Sequence, residues 1–285
     1  MIYMPELPEV EVIRLNLLRL IKGKKITHLK NLFPPSIAHP DPKSFSGKIK
    51  NTLIKDIERR GKFLIIHLNK DLRLVIHLRM TGSLVYYPKD KLPDPGKHCR
   101  LIIYLENGEG GALYYSDMRK FGRLWLINKK EETLTGMNRL GPDWLNVADP
   151  ETFKLRMQKY PKAPVKRVLL DQRVMAGLGN IYVDESLFRA AIHPARTVNS
   201  LKDAEIERLY IVIREVLDEG IESGGTTIRD YKNADGSPGG FQNRIRIYGR
   251  KGAKCFNCNG TIHKTVMCGR GTYFCPSCQN ECNML

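Results

Sequence analysis

Apolar positions change period twice along this 285-residue chain. In EVEVIRLNLLRLIKGK, Val10, Ile13, Leu17, Leu20 and Ile21 recur at helical spacing, so one face of a helix is apolar, and Gly23 supplies its stop. Pro8 fits the first turn, where a missing N–H costs nothing, and glutamates there suit the helix dipole. From about Ile54 to Asn128 the pattern becomes short β-rich runs: KFLIIHL, LRLVIHLRM, SLVYY, RLIIYLEN, ALYYSDM and RLWLIN. Turn material such as NKD and ENGEGG separates them, which predicts an antiparallel meander in a sandwich or barrel. Helical spacing returns after GMNRLGPDWLNVADPETF, so a domain boundary falls near residues 136–150. A helix is expected near 151–160. LKDAEIERLYIVIREVLDEGIESGG predicts another, with Ile206, Leu209, Tyr210, Ile213 and Leu217 as ordinary core. Between them an apolar helix runs into Ala176-Gly177-Leu178-Gly179-Asn180, a glycine turn opening a further helix. Such a turn either offers free N–H groups to an anion or is a plain helix-turn-helix corner.

Charge changes the picture most. Forty-seven Lys and Arg against thirty Asp and Glu give +17, which favours a polyanionic partner, nucleic acid before anionic membrane. No apolar run reaches the roughly 18–20 residues of a spanning helix, and the N-terminus lacks a signal-peptide layout. The chain reads as a soluble, intracellular, cytoplasmic protein. Six of its seven cysteines lie between Cys255 and Cys282. Cys255-x2-Cys258 and Cys275-x2-Cys278, separated by sixteen residues, can close a tetrahedral Zn²⁺ site, and so small a segment needs such a staple. His263, Cys268 and Cys282 are surplus, and Cys99 is a small residue at a strand start. From Gly236 through Asn280 there is no Asp or Glu, while Arg244, Arg246, Arg250, Lys251, Lys254, Lys264 and Arg270 fall inside. A one-signed ribbon beside a zinc site suits phosphates, although a charge run can also be a solvated face.

In the first half, Lys62 follows a glycine in RRGKFLIIHL, His77 and Met80 sit in HLRMTG, and Arg119 and Phe121 in SDMRKFGRL. Taken singly, Met80 and Phe121 are core residues and the cations are exposed. Together they suit a protein that extrudes a base, with apolar wedges and a guanidinium filling the hole while Lys and His hold the backbone.

PELPEVE, RRGK, HLRM, DMRKFGR, LLDQRVMAGLGNIYVDESLF, GGTTIRDY with NADGSPGGFQ, IYGRKG and GRGTYFCPSCQ, in this order, resemble the bacterial formamidopyrimidine-DNA glycosylases over essentially the whole chain. The resemblance implies an α+β fold: an N-terminal antiparallel β-sandwich with flanking helices (1–136), a linker (137–150), a helix-two-turn-helix domain (151–235), and a basic segment with a β-hairpin zinc finger (236–285). It implies a monomer that excises 8-oxoguanine and formamidopyrimidines from double-stranded DNA, then cuts the strand by β,δ-elimination, with one structural Zn²⁺. Residue by residue, Pro5 is similar to the family's proline nucleophile, Glu6 to its acid, and Glu9 to a second carboxylate lining the site. Lys62, His77, Asn180 and Arg270 resemble phosphate contacts, with Lys62 grouped among the catalytic residues. Met80, Arg119 and Phe121 resemble void fillers. Thr226, Thr227, Arg229 and Tyr231 open the segment to Gln242 that resembles the loop closing over the lesion. Pro5 can be a nucleophile only if MIYM does not precede it, which points to Met4 as the start. Other readings are an endonuclease VIII-type enzyme for oxidised pyrimidines, a non-catalytic zinc-ribbon nucleic-acid binder and, weakest, a membrane-surface protein.

Overall fold

The computed structural model describes residues 4–108, 110–146, 149–227 and 231–280. Two compact units result, Met1–Arg139 with Ile221–Gln242, and Leu140–Gly220 with Asn243–Leu285.

In the first unit, α1 (Leu7–Ile21) carries Pro8 in its first turn and stops before Gly23, whose φ of 79° only glycine adopts readily. Val10, Ile13, Leu17 and Ile21 are fully buried, each stabilising by about 1.5–3 kcal/mol relative to exposure. The chain continues through β1 (Lys25–Asn31), β2 (Ile37–His39), α2 (Pro42–Ile49), β3 (Thr52–Arg60), β4 (Phe63–Leu68), β5 (Arg73–His77), β6 (Gly82–Pro88), β7 (Cys99–Glu106), β8 (Gly111–Asp117) and β9 (Arg123–Ile127). Each of the six β-rich runs became a strand.

These nine strands join in the order β2-β9-β5-β4-β3-β1-β7-β8-β6, antiparallel throughout except for the parallel pair of β2 with β9. Only two residue pairs, Lys25 with Leu53 and Ile26 with Thr52, link β1 to β3. The sheet therefore turns over there into two layers that share one core: Leu64, Ile66, Leu74 and Ile76 on one side, Leu84, Leu101, Ile103 and Leu113 on the other. This is the expected sandwich, with α1 packed against β3. The sequence reading named neither β1, β2 nor α2. KITHLKN offers just Ile26 and Leu29 as apolar positions, and α2 depends on its Asp41 cap, whose carboxylate accepts the Lys43 and Ser44 amides.

The second unit holds α3 (Pro150–Gln158), α4 (Val165–Leu170), α5 (Asn180–Arg189), most of α6 (Asp203–Glu222) and the hairpin β10 (His263–Met267) and β11 (Arg270–Phe274). Trp144, Phe153 and Tyr210 cluster with centroids 5.1–6.0 Å apart, and Ile206, Leu209, Ile213 and Leu217 face inward as the periodicity required. The apolar helix expected to run to the glycine turn ends early, at Leu170. Gln172 is the physical reason: its Nδ-type amide end, Nε2, donates to the Leu170 and Leu178 carbonyls while Oε1 accepts the Gly177 amide, folding residues 171–179 into two successive turns.

Candidate functional site

The first turn of α1 is built from carboxylates. Glu6 is the N-cap and Glu9 the third helical residue, in a reciprocal capping box where the Glu6 amide donates to Glu9 Oε2 at 2.8 Å. Pro5, Glu6 and Glu9 are all buried. The other Glu9 oxygen accepts the Thr226 amide at 2.7 Å, a bond spanning 217 residues of sequence. Tyr231 returns to the same place, its hydroxyl donating to Asn233 Oδ1 at 2.6 Å and toward the Glu9 carbonyl at 3.1 Å. Burial, followed by the Glu9 carboxylate, raises the Tyr231 phenol well above its ordinary range, so it stays a donor. Gly225 makes the approach possible: at φ 80°, a Cβ there would lie 3.1 Å from both Glu9 Cγ and the Tyr231 ring. The structure thus joins Pro5, Glu6 and Glu9 to Thr226 and Tyr231. Thr227 belongs to the same loop, its hydroxyl accepting the Gly239 amide at 2.8 Å. Arg229 lies outside the described residues.

One turn along α1, Glu11 accepts from Arg14 and, at 2.9 Å, from the Arg59 Nε, while Arg59 also donates to the Gly61 carbonyl. The guanidinium fixes the turn that presents Lys62, which is itself buried. The sequence reading gave Glu11 a helix-entrance role alone, because its partner is 48 residues away.

His77 ends β5 with its ring edge-on to Phe63, centroids 4.5 Å apart. Its Nδ1 accepts the Arg79 amide at 3.0 Å. Burial, then the Arg79 and Lys62 charges, push its pKa down to about 3, so the ring is neutral and carries its proton on Nε2. It is therefore a neutral donor and not a cation.

Met80 and the pair Arg119–Phe121 stand on two loops joined by a residue the sequence did not single out. Buried Asp117 accepts from the Thr81 hydroxyl, the Arg119 amide, the Gly122 amide and the Tyr115 hydroxyl. Gly122 is required, since a Cβ would collide with the Tyr115 hydroxyl at 1.9 Å. With its base so fixed, Phe121 is 48% exposed under the Arg119 guanidinium, 4.8 Å from the ring centroid. Phe121 is not a core residue. Buried acidic hubs of this kind give no periodic signal; the only sequence hint was an Asp opening a Gly-containing loop between two strands.

In the second unit, the Asn180 side chain, at the start of α5, donates to the Gly271 carbonyl at 2.8 Å, which brings it beside Arg270. Buried Lys166 reaches the same carbonyl at 3.4 Å and Asp184 Oδ1 at 2.6 Å, while Asp184 Oδ2 accepts the Tyr273 amide at 3.0 Å. Burial pushes the Asp184 carboxyl up, opposed by the Lys166 charge. Glu185, next along α5, accepts the amides of Arg246, Ile247 and Tyr248. Two neighbouring acids on one helix therefore grip the basic segment and the hairpin.

Cys255, Cys258, Cys275 and Cys278 bring their sulfurs within 4.8 Å of one another and can hold a metal ion. The shorter separations, 3.5 Å for Cys258–Cys275 and 3.8 Å for Cys255–Cys278, match the edge of about 3.8 Å that a tetrahedron with thiolate arms of about 2.3 Å requires. Cys268 is exposed in the hairpin turn and His263 exposed on β10, neither in the cluster; Cys282 lies outside the described residues. Cys99 is buried at the first position of β7, as expected.

Family models match the chain as the formamidopyrimidine-DNA glycosylase N-terminal domain over residues 4–124 and the H2TH domain of the same family over 140–232. A formamidopyrimidine-DNA glycosylase of Desulfitobacterium hafniense is 40% identical over 277 residues, covering 97% of this chain and 100% of that protein. A Lactococcus lactis FPG mutant solved with Fapy-dG-containing DNA superposes with a TM-score of 0.88 at 37% identity, over 97% of this chain and 100% of that one. MutM solved with carbocyclic 8-oxo-G-containing DNA gives 0.87 at 37% identity, over the same shares. Among the described residues no helix is long and apolar enough to cross a membrane.

Proposed function

The chain belongs to the formamidopyrimidine-DNA glycosylase family, and from that premise we propose that it excises oxidised purines from duplex DNA through Pro5 and then cleaves the strand at the abasic site. The observation that carries the assignment is the carboxylate-built first turn of α1, which fixes Glu6 beside Pro5 and ties both, through Glu9, to the loop beginning at Thr226.

As the chain terminus, Pro5 is a secondary amine with a usable lone pair, since an α-amino group titrates near 8 and a fraction is neutral at physiological pH. The lone pair attacks C1′ of the damaged nucleotide, the glycosidic bond breaks, and the base leaves with the bonding electrons and a proton. Glu6 delivers its proton to the ring oxygen; the ring opens, the nitrogen loses its own proton, and an iminium forms. That cation accepts the electrons released when a C2′ proton is removed, expelling first the 3′ and then the 5′ phosphate. Lys62, the Nε2–H of His77, Asn180 and Arg270 are assigned to the DNA backbone. Met80, Arg119 and Phe121 are assigned to the gap left in the stack, and Thr226, Thr227, Arg229 and Tyr231 to closure over the extruded base. Zinc is the ion we assign to the four thiolates, where its role is to hold the hairpin that bears Arg270. The named relatives are bacterial, and the enzyme is placed in the cytoplasm with the chromosome.

A peptide-bonded Pro5 has no lone pair to give, so the chemistry requires initiation at Met4 with removal of that methionine, or processing to the same end. The test is borohydride trapping on a duplex bearing one 8-oxoguanine opposite cytosine. Protein begun at Met4 is expected to form a covalent adduct, and protein retaining residues 1–4 to form none. No adduct from the Met4 form, with binding intact, would overturn the assignment. Thymine glycol in the same assay separates the purine enzyme from the endonuclease VIII type.

A further inference from the structure

We propose that the knuckle between Cys255 and Cys258 is a second nucleic-acid site, a stacking platform on which Phe256 receives an unpaired base of a DNA strand. Phe256 is 67% exposed, the most exposed of the described aromatic side chains, and sits between two metal-binding cysteines that hold its backbone in place. One face of the ring is occupied by the Arg250 guanidinium, 3.7 Å from its centroid. Arg250 is itself anchored, donating through Nη1 to the Arg246 carbonyl and through Nη2 to the Lys254 carbonyl at 3.0 Å. Its donors are directed to its own backbone, so it serves as a fixed backing plate, and the exposure leaves ring surface for a base. Ring and guanidinium are ordered before any ligand arrives, which lowers the entropic cost of stacking.

Beside the ring is a recess of about 430 Å³ lined by Glu219, Asn243, Arg244, Ile245, Arg246 and Phe256. Its one acid, Glu219, is held below the usual carboxylate range by a two-pronged bond from Arg189, at 2.7 and 3.0 Å, so its charge is already matched. Arg244 and Arg246 are exposed, and Lys251 and Lys254 lie on the same acid-free ribbon. Cations for phosphates flanking an aromatic face for a base are the two parts of a sequence-tolerant single-strand site. A hydrophobic protein partner would not explain the ribbon's single sign.

The test uses the metal-loaded protein and undamaged DNA, so its outcome does not depend on excision. Fluorescence anisotropy compares a labelled oligothymidylate with a blunt duplex of equal length, for wild type, Phe256→Ala and Phe256→Trp. Loss of the ring is expected to weaken single-strand binding by roughly tenfold, while Trp restores it. The salt slope should stay unchanged, because no charge is removed, and blunt-duplex binding should move by less than about twofold, short of one lost stacking contact. Equal losses on both ligands, a loss of bound metal in Phe256→Ala, or unchanged single-strand binding would each overturn the platform.

Discussion

Glu9 and Asp184 are both fully or nearly fully buried, and each accepts a backbone N–H from a segment far along the chain, Thr226 in one case and Tyr273 in the other. They differ in what balances them. Both Glu9 oxygens face backbone amides, at 2.7 and 2.8 Å, with the N-terminal end of α1 behind them. Asp184 faces a full cation, Lys166, at 2.6 Å, in a region additionally stapled by four thiolates. The root of the loop is held by oriented neutral donors, which give direction to two strands of chain at once. The hairpin is held by matched charges and a metal, which give strength.

Removing the metal should break the stronger region most. A structural zinc site contributes roughly 10 kcal/mol in small zinc-dependent folds. Chelation is therefore expected to unfold the hairpin and cut duplex affinity by at least about 100-fold, leaving the melting of the first unit in place. Calorimetry with and without chelator checks this, and one unchanged transition would show that Lys166, Asp184 and Glu185 suffice without an ion.

Lys166→Ala comes next, because it leaves a buried carboxylate facing a carbonyl with its cation gone. Breaking one partner of a buried pair costs about 3–5 kcal/mol, whereas replacing both by apolar residues of similar volume is often close to neutral. Urea denaturation of Lys166→Ala beside Lys166→Met/Asp184→Leu measures both. If the double variant is as unstable as the single one, the amide of Tyr273, not the ion pair, is what Asp184 is there to satisfy.

Glu9→Gln probes the weaker region. Each carboxylate oxygen is an acceptor, so either orientation of the new amide sets an NH₂ against a backbone N–H. One buried donor then goes unmet, at about 1–3 kcal/mol. Stability should fall by that amount and Schiff-base formation with it, whereas Glu9→Asp, too short to bridge, should lose the loop contact and keep the helix cap. Equal trapping rates for Gln and wild type would show that the bridge to Thr226 does not position Pro5.

Much of this was legible beforehand, and for definite reasons. The strands of the sandwich and the buried face of α1 announce themselves because burial repeats every two or about 3.6 residues, and the cysteine cluster because ligand spacing is short. What escaped depends on single long-range contacts: β1 with its two apolar positions, Asp117 as the hub of the Arg119–Phe121 loop, Gln172 bending the apolar run into two turns, and Glu11 fixing the Lys62 turn through Arg59. A polar residue whose partner is tens of residues away has no pattern to read. His77 belongs to the same class, since a sequence can offer a histidine to a phosphate without stating its charge.

That charge gives the smallest effect. With a folded pKa of about 3 against 6.5 unfolded, the native state resists a proton that the unfolded chain accepts. The stability His77 lends is complete above pH 6.5 and is lost as pH falls from there toward 3. Between pH 6 and 8 its protonation barely changes, so the pH dependence of duplex binding should be the same in wild type and His77→Gln, even though the variant binds more weakly for want of an Nε2–H in place. An extra binding gain below pH 6.5 in wild type alone would mean that DNA phosphates pull the pKa back up against burial and the charges of Arg79 and Lys62, making this histidine a cation in the complex. NMR titration of the ring with and without duplex separates the two cases, and a ring neutral in both would confirm that it works as a hydrogen-bond donor.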